Sequence, residues 1–172
     1  MHAETETSFL TNLNQDIGIV HQVCHTYFRR DAVAREDVFQ DIMYQLWKSY
    51  PQFKGESKFS TWMYRVALNT AITHTAITHI RRSTRAPRNV ELTESVARAP
   101  HISEHMSRVE EVRLLHEAIA ALAEIDKAII LLHLEDQNYD EIASITGLTK
   151  TNVSVRLVRI KRALKDYLQR NQ

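Results

Sequence analysis

At 172 residues, with 44% hydrophobic content and a formal net charge of +1, the chain can hold one mid-sized domain or two small ones with modest cores. A single cysteine excludes an internal disulfide, no apolar run approaches the roughly 20 residues that span a bilayer, and the opening MHAETETS lacks a signal-peptide pattern. The expectation is a cytoplasmic, all-α protein, because only three glycines and three prolines leave few turns and long helices.

The first chemistry-bearing pattern in chain order is HQVCH, where His21, Cys24 and His25 share a helix face if the segment is helical. That spacing suits two or three metal ligands, but no fourth ligand follows at a recognisable distance, so no metal and no cofactor is expected. In the run from Asp37 to Trp47, Val38, Ile42 and Leu46 form one helical row with Phe39, Met43 and Trp47 beside it. Asp37, Gln40, Asp41 and Tyr44 project elsewhere, which gives an amphipathic helix with an acidic and aromatic outer edge.

Pro51 stops that helix. A polar loop follows with Phe53, Lys54, Gly55, Glu56, Ser57 and Lys58, and Ser60 is placed to cap the next helix. This helix carries Trp62, Tyr64, Arg65 and Asn69 within two turns, and the first domain, 1–84, ends on Arg81 and Arg82, with Arg85 just beyond. Aromatic and amide groups beside a basic loop suit unstacked bases, which need a flat face and hydrogen-bond partners for their edges. Trp62 and Tyr64 also suit a core, and for Trp62 the core is the better reading.

Residues 85–107 hold Pro87 and Pro100 and show no sustained apolar periodicity, so they read as a flexible linker. The second domain, 108–172, contains a helix-turn-helix pattern. Ile142, Ala143 and Ile145 supply the apolar side of a short helix, Gly147 can take the left-handed conformation that ends it, and Thr149 can cap the next. Val153, Leu157, Ile160 and Leu164 then form one buried stripe, leaving Lys150, Asn152, Ser154, Arg156, Arg159 and Arg162 mostly outside. Residues 147–172 carry a net charge of +6 and residues 108–146 a net charge of −6. The near-neutral total hides a cationic helix beside an acidic support, a distribution that points to duplex DNA.

Taken in order, DVFQDIMYQLW, FKGESKFSTWMYRVALNTA and LAEIDKAIILLHLEDQNYDEIASITGLT resemble a bacterial RNA polymerase sigma factor of the extracytoplasmic-function group of the sigma-70 family. The similarity covers both expected domains with the linker between them. It implies a promoter-specificity subunit whose partners are core RNA polymerase, through the clamp helices of the largest subunit and the flap, promoter DNA, and an anti-sigma factor. Asp37, Gln40, Asp41, Tyr44 and Trp47 match the family's polymerase-docking helix. Phe53 to Lys58 match the loop that pockets a base flipped from the minus-ten element, Asn69 matches an amide position near it, and Arg65, Arg81 and Arg82 join the same DNA surface. In the second domain the resemblance assigns the minus-thirty-five element to the second helix, with Lys150, Ser154, Val155, Val158 and Arg159 facing bases and Arg156 and Arg162 nearer the backbone; Asn152 completes the set.

The sequence departs from the family in places. Ser154 stands where many relatives carry a basic residue and cannot make a bidentate guanine contact. Ile72 and Thr73 replace polar or basic residues, so the minus-ten preference is not carried across. A conventional helix-turn-helix regulator that binds operator DNA unaided is the competing reading. No serine, cysteine or carboxylate constellation suggests an enzyme.

Overall fold

A computed structural model describes the backbone of residues 2–84 and 104–171, and the side chains of residues 7–81 and 108–171. The expected linker lies almost wholly outside the described residues, as does the side chain of Arg82. In chain order the described residues form α1 (His2–Tyr27), α2 (Ala32–Ser49), a 3-10 turn (Tyr50–Gln52), α3 (Phe59–Thr84), α4 (Glu104–Ala120), α5 (Glu124–Leu134), α6 (Tyr139–Thr146) and α7 (Lys150–Arg170).

The first unit is α1 to α3. Phe9, Leu13, Val20 and Cys24 recur at helical spacing along α1 and are all buried, so this stripe, not local propensity, holds the helix. Asp31 caps α2, its Oδ1 accepting the Ala34 amide at 2.9 Å. Val38, Ile42 and Leu46 of α2 are fully buried, and they meet α1 and the Met63, Tyr64, Ala67, Leu68 and Ala71 row of α3. Pro51 falls inside the 3-10 turn that follows α2, where a missing amide hydrogen costs little. Ser60 is not the cap of α3. The helix already includes Phe59, and the Lys58 carbonyl accepts the Trp62 amide at 3.2 Å, so Ser60 lies within the first turn.

The second unit is α4 to α7. Asn138 accepts the Asp140 and Glu141 amides, and the Glu141 carboxylate accepts the Asn138 amide, which closes a capping box on α6. Gly147 ends α6 at φ 73°, its amide donating to the Ala143 carbonyl. Thr149 then caps α7 through the Asn152 amide. Val153, Leu157, Ile160 and Leu164 form the buried stripe of α7, packed on α4, α5 and α6.

The two units also pack on one another, α1 against α4 and α5, and α3 against α5 and α6. Their apolar residues merge into one cluster. The sequence gives no sign of this closure. Tyr27 donates to the Glu124 carbonyl at 2.7 Å, and its hydroxyl is held far above the ordinary phenol range by burial and by the Glu124 carboxylate. Lys127, itself buried, reaches Glu124 at 3.0 Å and sits over the Tyr27 ring. No helix among the described residues is long and apolar enough to cross a membrane.

Candidate nucleic-acid interface

The outer side of α7 follows directly from its buried stripe. With Val153, Leu157, Ile160 and Leu164 turned inward, Val155, Val158, Arg159 and Arg162 make an outward row at steps of three and four residues. All four are exposed, Val158 at 69%. Exposed valines flanked by arginines suit a groove lined by methyl groups and phosphates. Lys150 and Asn152 are exposed at the N-terminal end, and Ser154 is partly covered.

Two of the cations are not free to meet DNA as they stand. Arg156 is half-buried and donates to Asp126 of α5 at 2.7 Å, so it braces α7 against its own unit; the sequence reading placed it outside, near the DNA backbone. Lys150 donates to Asp140 of α6 at 2.7 Å. Among the described residues no ion pair holds Arg159 or Arg162. The acidic support therefore does two things: it fixes the angle of the helix through Asp126, and it leaves the Arg159 and Arg162 edge unpaired.

In the first unit the loop after α2 is held by rings. Phe53 stacks on Tyr50 and tilts against Trp62, 5.1 Å between centroids, while Phe59 lies 5.3 Å from Trp62. Gly55 at φ 72° makes the turn, and Lys54, Glu56, Ser57 and Lys58 are exposed around it. Trp62 is half-buried at the edge of this aromatic group, whereas Tyr64 is a core residue at 3% exposure. Arg65 and Asn69 stand one turn apart on the exposed side of α3. Arg81 is exposed as well, but 16 residues further along an unbroken helix it lies about 160° around the axis from Arg65. Arg65 and Asn69 thus share one exposed side of α3, and Arg81 lies outside it.

The outer face of α2 collects Asp37, Gln40, Asp41, Tyr44 and Trp47, all exposed and separated by three or four residues. Trp47 is anchored edge-on to Phe9 at 5.3 Å and is still 48% exposed, and Lys48 lies over the Tyr44 ring. Apart from these ring contacts, no hydrogen bond or ion pair engages the side chains of this acidic and aromatic strip among the described residues. The HQVCH segment behaves differently. Cys24 is core, His21 stacks on Phe39 at 4.8 Å, and His25 is exposed. Among the described residues no three His, Cys, Asp or Glu side chains are grouped so as to hold a metal. Burial raises the Cys24 thiol to about 11 despite the nearby Arg35.

The comparisons agree with this division. The sigma-70 region 2 model matches residues 16–86, and the sigma-70 region 4 model matches residues 113–164. The chain is 30% identical to the extracytoplasmic-function RNA polymerase sigma-E factor of Escherichia coli K12, over 77% of this chain and 73% of that one. It is 28% identical to the RNA polymerase sigma-H factor of Pseudomonas aeruginosa, over 83% and 77%. Among solved structures, the sigma factor RpoE of Bartonella quintana, crystallised with the anti-sigma factor NepR, superposes with a TM-score of 0.70 at 14% identity, covering 96% of this chain and 99% of that one. CnrH, solved with the cytosolic domain of CnrY, gives 0.66 at 17% identity over 97% and 91%. Folds and matched segments define a sigma factor with regions 2 and 4. The chain belongs to the extracytoplasmic-function sigma factors of the sigma-70 family, which sets aside the reading of a regulator that acts on operators unaided.

Proposed function

We propose that this sigma factor docks core RNA polymerase through the outer face of α2, takes the minus-ten strand on the Phe53–Lys58 loop with Arg65 and Asn69, and reads the minus-thirty-five element with α7. The outward row Val155, Val158, Arg159 and Arg162, exposed above a fully buried stripe, carries the reading. It presents two methyl-contacting and two guanidinium groups along one edge of a rigid helix, the arrangement that base-edge and phosphate contacts in a major groove require. On α2, Asp37 and Asp41 suit a basic coiled surface, and Tyr44 and Trp47 supply buried area on contact.

Strand opening then needs no catalytic group from this chain. A base leaving the stack costs a few kcal/mol, and an aromatic-walled loop that binds it can repay that cost. The role places the protein in the cytoplasm with the polymerase and its promoters. Since the similar RpoE and CnrH structures were solved with an anti-sigma factor and with CnrY, an anti-sigma factor is the expected negative partner here too.

The test is transcription from linear genomic fragments with purified core polymerase, followed by mapping of the transcript starts. Added chain is expected to produce new starts that share two upstream elements. Asp41→Arg is expected to reduce binding to core at least tenfold and to lower every one of these transcripts together. Specific initiation by the chain without core, or unchanged core binding in Asp41→Arg, overturns the reading.

A further inference from the structure

The cations of α7 that the sequence offers to DNA do not stand alike. Arg156 is half-buried on Asp126 and belongs to the packing of the helix. Arg159 and Arg162 have no ion pair among the described residues. Lys150 has one, at 2.7 Å from Asp140 of α6, and both side chains are open to solvent, at 61% and 71% exposure. A pair so exposed adds little to the fold. Helix α6 does not draw its cap from the Asp140 carboxylate: the Asn138 side chain and Glu141 close the capping box, and Asp140 takes part only through its backbone amide. Nor does Lys150 help α7, because a cation in the first turn opposes the helix dipole.

We propose that Asp140 is an affinity-limiting residue for duplex DNA, holding the Lys150 ammonium so that a phosphate must compete for it. In a helix-turn-helix the first helix crosses the DNA backbone and the start of the second enters the groove. Asp140 in the first turn of α6 and Lys150 in the first turn of α7 therefore meet where the backbone passes. A carboxylate and a phosphate offer an ammonium the same kind of charged oxygen, so contact with DNA gains only the difference between the two. Duplex affinity is thus held below what the cations of α7 would give, whatever the base sequence. The inference rests on the reading of α7 as the helix that meets duplex DNA.

The experiment measures binding of the full chain to a mixed-sequence duplex of about 30 base pairs, from about 50 to 200 mM salt. Asp140→Asn keeps the shape of the residue and the capping box and frees Lys150. Asp140→Asn with Lys150→Ala removes both members of the pair. Glu111→Gln, exposed on α4, controls for net charge. Arg159→Ala with Arg162→Ala tests the duplex-binding reading of α7 itself. Circular dichroism and the unfolding midpoint check the fold of each.

Asp140→Asn is expected to tighten duplex binding about threefold. The fall of log affinity with log salt should steepen by up to about 0.9, the mark of one added phosphate contact, which a change in fold stability alone would not produce. Glu111→Gln should show neither change, and Lys150→Ala should abolish the gain of Asp140→Asn. Unchanged or weaker binding by Asp140→Asn overturns the proposal when the two arginine substitutions still weaken binding. An equal gain in Glu111→Gln overturns it by tracing the effect to net charge, and a gain that survives Lys150→Ala overturns it by removing the pair as the cause. If the two arginine substitutions bind like the parent, the proposal falls together with the reading of α7.

Discussion

Arg156 and Arg159 are three positions apart on the same basic helix and have different jobs. Arg156 is half-buried on Asp126, so its loss is expected to act on stability: Arg156→Ala should cost about 0.5–1 kcal/mol in chemical denaturation, modest because the pair is partly solvated. Arg159 has no ion pair to lose among the described residues, and Arg159→Ala should leave the denaturation midpoint in place while selectively weakening transcription from promoters that depend on the upstream element. Equal midpoints for the two variants would remove the distinction. Buried acids give a second prediction. Cys24 keeps its proton up to about 11 when folded and up to about 8.5 when unfolded, and Tyr27 and Tyr64 are raised as well. A raised acid favours the folded chain below the unfolded value and loses that advantage as the pH climbs. Stability should therefore fall between pH 8.5 and pH 11, and alkylation of Cys24 at pH 8 should follow unfolding, not thiol ionisation.

At the scale of elements, the helix-turn-helix was the most legible part of the chain because its signals are local. Gly147, Thr149 and the Val153 to Leu164 stripe each encode a backbone conformation or a burial direction within one turn, and the structure places all of them as the spacing predicts. The outer face of α2 was legible for the same reason. Helix α1 carries the same kind of local signal, with Phe9, Leu13, Val20 and Cys24 at helical spacing and all buried. Ser60 as a cap failed because helix propagation began two residues earlier, where a lysine carbonyl served. The partners of Lys58, Arg65 and Arg156 were not legible at all. Those pairs span 30 to 83 residues and depend on packing that no local pattern encodes. Packing also sets the element-scale prediction. Leu157 is 1% exposed at the centre of the α7 stripe, so Leu157→Ala should cost roughly 2–5 kcal/mol and abolish upstream-element use through loss of the folded unit, readable as a lowered unfolding midpoint.

For the whole molecule, the charge segregation visible along the sequence acquires two destinations. The acidic segment from 108 to 146 turns part of its carboxylates inward to Arg156 and Lys150 of α7, and part across to Arg30 and Lys58 of the first unit. One pool of acid thus braces α7 and reaches across to the first unit, while the +6 and −6 segments cancel within a net charge of +1.

Packing of the two units does not treat the two proposed DNA surfaces alike. Lys58 and Arg65 are occupied in it, while Val155, Val158, Arg159 and Arg162 remain at the surface. On the proposed function, α7 can meet a double helix while the two units stay packed together, whereas Lys58 and Arg65 must first give up their partners on α6.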